Sequence, residues 1–225
     1  VERGTNRVLE VAPLAVGERA RALHADLFVA DLHADSLLWH RDLLQRGDRG
    51  HVDLPRLREG GVALQVFGVV TRTPAGQNYD HNPSDGFDMI TLLAVAQRWP
   101  VSAWGSLKER ALWQAERLRR VAASSGGTFR ILESAADVRR FAADRRADPL
   151  LTAGLLAIEG LHALEGDPAN LDDLRAAGFR MLGLAHFFDN ELGGSLHGME
   201  KGGLTALGRQ VVTAMQAGGI VVDLA

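Results

Sequence analysis

Residues 62–70, Val-Ala-Leu-Gln-Val-Phe-Gly-Val-Val, are apolar at nearly every position. A run this short and this uniform fits a parallel strand covered on both faces, and a chain built from such runs has few ways to fold. The pattern returns at 151–159, 179–186 and 220–225. Between the runs lie stretches of helical spacing at 88–99, 106–124, 135–143, 171–177 and 204–216. Ser134 with Asp137 three residues on marks one helix start, and Thr205 caps another. The Arg and Lys residues of 106–124 alternate with Glu at helical spacing and read as a solvated face. Strand alternating with helix predicts a parallel sheet with helices packed on it. The brief extended run at 129–132 is set aside as a minor element.

The ends of these runs carry the chemistry. The run at 151–159 stops at Ile158-Glu159-Gly160, and the one at 179–186 stops at His186. A carboxylate closing an apolar strand is costly unless it is paired or bound to a metal. The adjacent glycine suits a place where backbone and ligand approach closely. Earlier, residues 29–35 alternate Asp31, His33 and Asp35 with Ala30, Leu32 and Ala34. On a strand, the period of two puts the three ionisable groups on one face. Polar groups at the carboxyl ends of parallel strands are where α/β folds place their sites. A doubly wound sheet is the rival architecture, but no Gly-X-Gly-X-X-Gly follows the first strand and no phosphate loop is present.

Composition narrows the chemistry. With 225 residues the chain is long enough for one sizeable core. It has no cysteine, so thiolate metal sites, disulfides and cysteine nucleophiles are excluded, and any metal is held by histidine and carboxylate. A net charge of -3 argues against a polyanion binder, so no nucleic-acid partner is expected. No apolar run approaches the roughly 18 to 20 residues of a membrane helix, and no signal peptide is visible. Both a cytoplasmic and an exported location fit.

Five stretches together resemble the membrane dipeptidase (renal dipeptidase) family of metallopeptidases, which are amidohydrolase-like (β/α)8 barrels. They are Asp31-Leu-His-Ala-Asp35, Gly60-Gly-Val-Ala-Leu-Gln65, Ile158-Glu-Gly160 with His162 and Leu164, Gly178-Phe-Arg-Met-Leu-Gly-Leu-Ala-His186, and Gly203-Leu-Thr-Ala-Leu-Gly208 leading to Gly219-Ile-Val-Val-Asp-Leu224. The resemblance implies a (β/α)8 TIM barrel of which about the first five strands are present. Residues 1–225 would then be one catalytic barrel domain, incomplete at its C-terminal end. Further strands are expected after Ala225 or on another chain.

The resemblance also implies roles. His33 and Asp35 would bind one Zn2+, Glu159 would bridge two, and His186 would contact substrate beside the scissile carbonyl. The implied substrate is a dipeptide, cleaved by water activated between the two zinc ions, with the remaining ligands beyond Ala225. This stretch alone, with three of six ligands, is expected to be inactive, and a homodimer is a further possible assembly. Two departures from the family pattern bear on substrate preference. Gly160 is followed by Leu161 rather than a second glycine, and Phe-Phe-Asp-Asn-Glu-Leu-Gly-Gly follows His186. Two other classes stay open at this point. One is a different metal-dependent amide or lactone hydrolase on the same barrel, and the other is a non-catalytic barrel that has lost its site.

Overall fold

The computed structural model describes residues 1–6, 8 and 11–225. Its strands are β1 (Val29–Ala34), β2 (Val62–Val70), β3 (Phe129–Ile131), β4 (Thr152–Glu159), β5 (Phe179–Gly183) and β6 (Val221–Asp223). Every pairing is parallel, in the order β1-β2-β4-β5-β6. This is the arc of a (β/α)8 barrel, with its first strands present and the expected alternation of strand and helix. The principal helices are α1 (Glu18–Asp26), α2 (Leu54–Glu59), α3 (Met89–Ala96), α4 (Leu107–Ser124), α5 (Ala135–Ala147), α6 (Asn170–Ala176) and α7 (Ala206–Ala217). Among the described residues no helix is long and apolar enough to cross a membrane.

The run at 129–132, set aside in the sequence, is a true strand. β3 pairs with Thr152, Ala153 and Gly154 of β4, and β5 takes over along Leu156 to Ile158. The other edge of β4 is paired with β2 from Ala153 to Glu159. That long register fixes Glu159 opposite Val70, at the carboxyl end of the sheet.

One sheet face packs on the helices. Phe67, Leu118, Phe129, Leu156, Leu174, Phe179, Leu182 and Met215 are at most 2% exposed. Phe67 and Phe129 meet edge to face at 6.1 Å. Each such side chain contributes roughly 1.5–3 kcal/mol by leaving water. Gly154 belongs to this face. A Cβ there would lie 2.5 Å from the Phe129 ring, so the ring fills the place of a side chain.

The helices begin where their caps are. Asp88, Ser106, Ser134 and Thr205 each accept a backbone N–H from the first turn that follows. Each cap stabilises its helix by about 1 kcal/mol. α4 departs from the solvated face read in its sequence, because Arg110 is 1% exposed. Its guanidinium donates to the carbonyls of Thr71, Ala103 and Trp104, to Thr91 Oγ1 and to the Asp88 carboxylate. A buried cation with all its donors used persists where a lone one would not. Arg110 thereby ties the end of β2 to the start of α3. Arg117 likewise donates to the carbonyls of Leu37 and Trp39.

Candidate metal centre

Three side chains from two strand ends converge at the carboxyl edge of the sheet. His33 Nε2 lies 3.0 Å from Asp35 Oδ1 and 3.6 Å from Glu159 Oε2. One ligand-type atom from each residue falls within 4.8 Å of the other two. His186 Nε2 lies 3.4 Å from the second oxygen of the same carboxylate, Glu159 Oε1. The two oxygens of Glu159 therefore face different partners. All four residues singled out in the sequence meet at one place.

Local backbone explains the convergence, and it differs in two respects from a simple strand with alternating faces. β1 is irregular, with its register shifting between Val29 and Ala30 and again between Asp31 and Ala34. Asp31 consequently stands opposite Gln65, and its Oδ1 accepts the backbone N–H of His33 at 3.1 Å. It steadies the His33 backbone rather than joining the cluster. Asp35 sits one residue past the strand and opens a 3-10 turn over Ser36–Leu38. β5 stops at Gly183, so His186 stands three residues beyond the strand instead of at its last position.

Two glycines make room. A Cβ on Gly68 would come within 2.5 Å of His33 Cε1 and 2.9 Å of Nε2, so the imidazole lies across β2 where a side chain would be. β1 and β4 are not neighbours, and their groups meet only over this gap. Gly160 has φ +85, and a Cβ there would meet His186 Cβ at 2.8 Å and His162 Cδ2 at 2.9 Å. A left-handed backbone and this crowding both call for glycine.

Electrostatics follow from the spacing. The hydrogen bond to Asp35 pushes the His33 pKa up to about 9, with the charges of Asp35, Glu159 and Asp223 adding to it. Burial raises the Glu159 pKa. Burial pulls His186 down to about 4, so its ring is neutral at pH 7. The same effect takes His162 to about 3. A carboxylate-rich histidine cluster that holds an extra proton when bare is chemically suited to a divalent cation. Imidazole and carboxylate donors match zinc or a metal of similar softness.

The sequence does not reveal Gly68, whose part becomes visible only once β2 is known to lie between β1 and β4. His24, His40 and His51 are exposed and stand outside the cluster. A separate cavity of about 800 Å³, lined by Arg72, His162, Glu165, Glu191 and others, contains none of the four cluster residues.

The family model described as membrane dipeptidase, peptidase family M19, matches residues 17–225. No curated protein matches the chain. Among solved structures, a metallopeptidase described as dipeptidase AC is 26% identical, with a TM-score of 0.60, over 88% of this chain and 56% of its own. A metallopeptidase from Rhodobacter sphaeroides, solved with a phosphinate mimic of the dipeptide L-Ala-D-Ala, is 25% identical with a TM-score of 0.62. That match covers 88% of this chain and 58% of the other. The probable dipeptidase PvdM from Pseudomonas aeruginosa shares the fold, with a TM-score of 0.64 at 19% identity, over 92% of this chain and 48% of its own. The chain thus spans about half the length of these solved relatives. Its fold, its cluster of metal-ligand groups and the match over nearly all its residues agree: the chain belongs to the membrane dipeptidase family of metal-dependent hydrolases, peptidase family M19.

Proposed function

We propose that the protein hydrolyses the peptide bond of dipeptides at a two-zinc centre to which this chain contributes His33, Asp35 and Glu159. The observation that carries the reading is the placement of Glu159 between two histidines, 3.6 Å from His33 through one oxygen and 3.4 Å from His186 through the other. Three donors do not complete even one tetrahedral zinc site, so the remaining ligands are assigned to parts of the protein outside these residues. The zinc pair, when bound, would polarise the scissile carbonyl and lower the pKa of water.

The chain's own residues do the rest. His33 and Asp35 would hold one side of the centre, and Glu159, with its two oxygens turned to different partners, would supply a carboxylate shared across it. Asp31 keeps the His33 backbone in place through its N–H. His186 is neutral and largely buried, with Nε2 turned toward Glu159. A neutral imidazole N–H there is a pre-placed donor for the oxygen on which negative charge develops as the carbonyl is attacked. The R. sphaeroides relative binds a phosphinate mimic of a dipeptide, which supports the same substrate class for this protein.

The test uses the full-length protein loaded with zinc and a panel of dipeptides with L- and D-residues at the C-terminal position. Release of free amino acids is expected, and Glu159→Gln should reduce bound zinc and turnover together. Unchanged zinc by elemental analysis would remove Glu159 as the bridge. Cleavage of cyclic amides or lactones with intact dipeptides would move the protein to another amidohydrolase class, and a protein that binds no metal would be a non-catalytic barrel.

A further inference from the structure

Two loops stand beside His186: residues 71–88 after β2 and 184–205 after β5. Both are largely irregular, yet side chains stitch them together. Asn82 is 3% exposed although it lies in a loop. Its Nδ2 donates to Asn78 O at 2.7 Å and His197 O at 2.9 Å, and lies 3.4 Å from Phe187 O. Around it, His197 Nδ1 is 2.7 Å from Tyr79 O, Ser84 Oγ donates to Asp189 O at 3.1 Å, and Lys201 Nζ donates to Asp80 O at 2.9 Å. The rings of Tyr79, Phe187 and His197 pack with centroids 5.4–5.5 Å apart.

The stitching reaches His186 directly. Ser195 Oγ donates to the His186 carbonyl and accepts the His197 N–H at 3.0 Å. The Phe187 ring lies against the His186 ring, with centroids 4.5 Å apart. His186 Nδ1 is buried and has no hydrogen-bond partner among the described residues. The Arg72 backbone, in the loop after β2, still interacts with the ring and raises its pKa against the effect of burial. The ring is aimed by that contact and by the backbone at 186–187, which the 195–198 segment and Asn82 hold.

We propose that Asn82 is a positioning residue, holding Phe187 and His197 in place so that His186 points at Glu159. The kinetic part rests on the dipeptidase reading above; the positioning itself does not. Only a side chain with two amide hydrogens on a short stem can donate to carbonyls from both loops at once. Aspartate has the same shape but offers acceptors only, and would set carboxylate oxygens against three carbonyls. A shift of about 1 Å in a group that acts on the transition state costs up to about a hundredfold in rate.

The full-length protein is compared with Asn82→Asp and Asn82→Ser, the second keeping one donor. In Asn82→Asp, kcat should fall by about tenfold or more while KM stays within about threefold, the pattern of a lost transition-state contact. Bound metal should match the wild type, because the ligands this chain supplies lie on β1, just past its end and on β4, away from Asn82. Carbethoxylation of His186 by diethyl pyrocarbonate, followed by mass spectrometry, should run several times faster, with Asn82→Ser between the two. If Asn82→Asp does not accumulate, Asn82→Ser carries the same comparisons. Unchanged labelling of His186 overturns the proposal, and so does faster labelling with wild-type kcat. Loss of metal together with a lower melting temperature makes Asn82 merely structural and also overturns it. A wild type that cleaves no dipeptide sinks the proposed function, and the labelling rates then decide the role of Asn82 alone.

Discussion

Gly68→Ala adds one methyl group and tests how the centre is built. The new Cβ would sit 2.5 Å from His33 Cε1, 2.9 Å from Nε2 and 3.0 Å from Nδ1. These distances are too short for any carbon contact, so one partner moves. β2 is held in register by β1 and β4 on both edges, whereas the His33 side chain is 45% exposed. The ring therefore swings outward. Folding stability should fall by about 1 kcal/mol, the low end for overpacking, because the displaced group is a half-exposed side chain. The metal should respond far more. Losing the placement of one ligand among three, with the 3.0 Å pairing to Asp35 broken, should weaken metal binding by about ten- to a hundredfold. The assay is a zinc competition titration on the full-length protein, with thermal unfolding in parallel. Gly154→Ala is the control on the opposite face, where a Cβ meets the buried Phe129 ring at 2.5 Å. It should lower the melting temperature substantially and leave the metal affinity of the folded protein unchanged. Zinc affinity within twofold of wild type in Gly68→Ala would refute the placement of His33 over β2.

The raised pKa of His33 makes metal binding depend on pH. The metal takes the neutral imidazole, so below about 9 it must displace a proton, and apparent affinity should rise about tenfold per pH unit from 7 toward 9. Calorimetry in buffers of different ionisation enthalpy counts that proton; an affinity independent of pH between 7 and 8.5 would contradict it. For the metal-free protein the sign is opposite. His33 binds its proton more tightly folded than unfolded, so its contribution to stability is complete below about 6.5 and is lost as pH rises through about 9. Arg110→Met should destabilise by about 3–5 kcal/mol, since it leaves Asp88 charged, largely buried and unpaired. Arg120→Ala, which breaks an exposed pair with Glu116 on the same helix, should change the unfolding midpoint in urea hardly at all.

How much of this is legible in the sequence varies with how locally each feature is determined. β2 occupies Val62–Val70 as its uniform apolarity predicts, because a strand covered on both faces needs no outside information. Glu159 and His33 are readable for the same reason, as polar groups that interrupt apolar runs. The limits of β1 and β5 are less readable. Asp35 and His186 continue the pattern of their strands but lie in turns beyond them, and side-chain polarity carries no record of where backbone pairing stops. Arg110 passes for a surface residue because charged side chains recur along α4 at helical spacing; its partners Thr71, Asp88 and Thr91 lie far along the chain. Asn82 is invisible for a related reason, as a polar residue in a polar loop, with its partners Phe187 and His197 in another loop.

The glycine gap in β2 also bears on the order in which the molecule assembles. His33 and Glu159 lie far apart in sequence, and they meet only after β1 and β4 have docked on the two edges of β2 in the correct register. Parallel pairings of this kind close long loops before they gain contacts, which makes them slow steps. A metal ion therefore finds only the local pair His33 and Asp35, without Glu159, in a partly synthesised chain that has not reached β4. Capture of the ion is a late event, and the rate at which zinc becomes inaccessible to a chelator during refolding reports directly on completion of the β1-β2-β4 sheet.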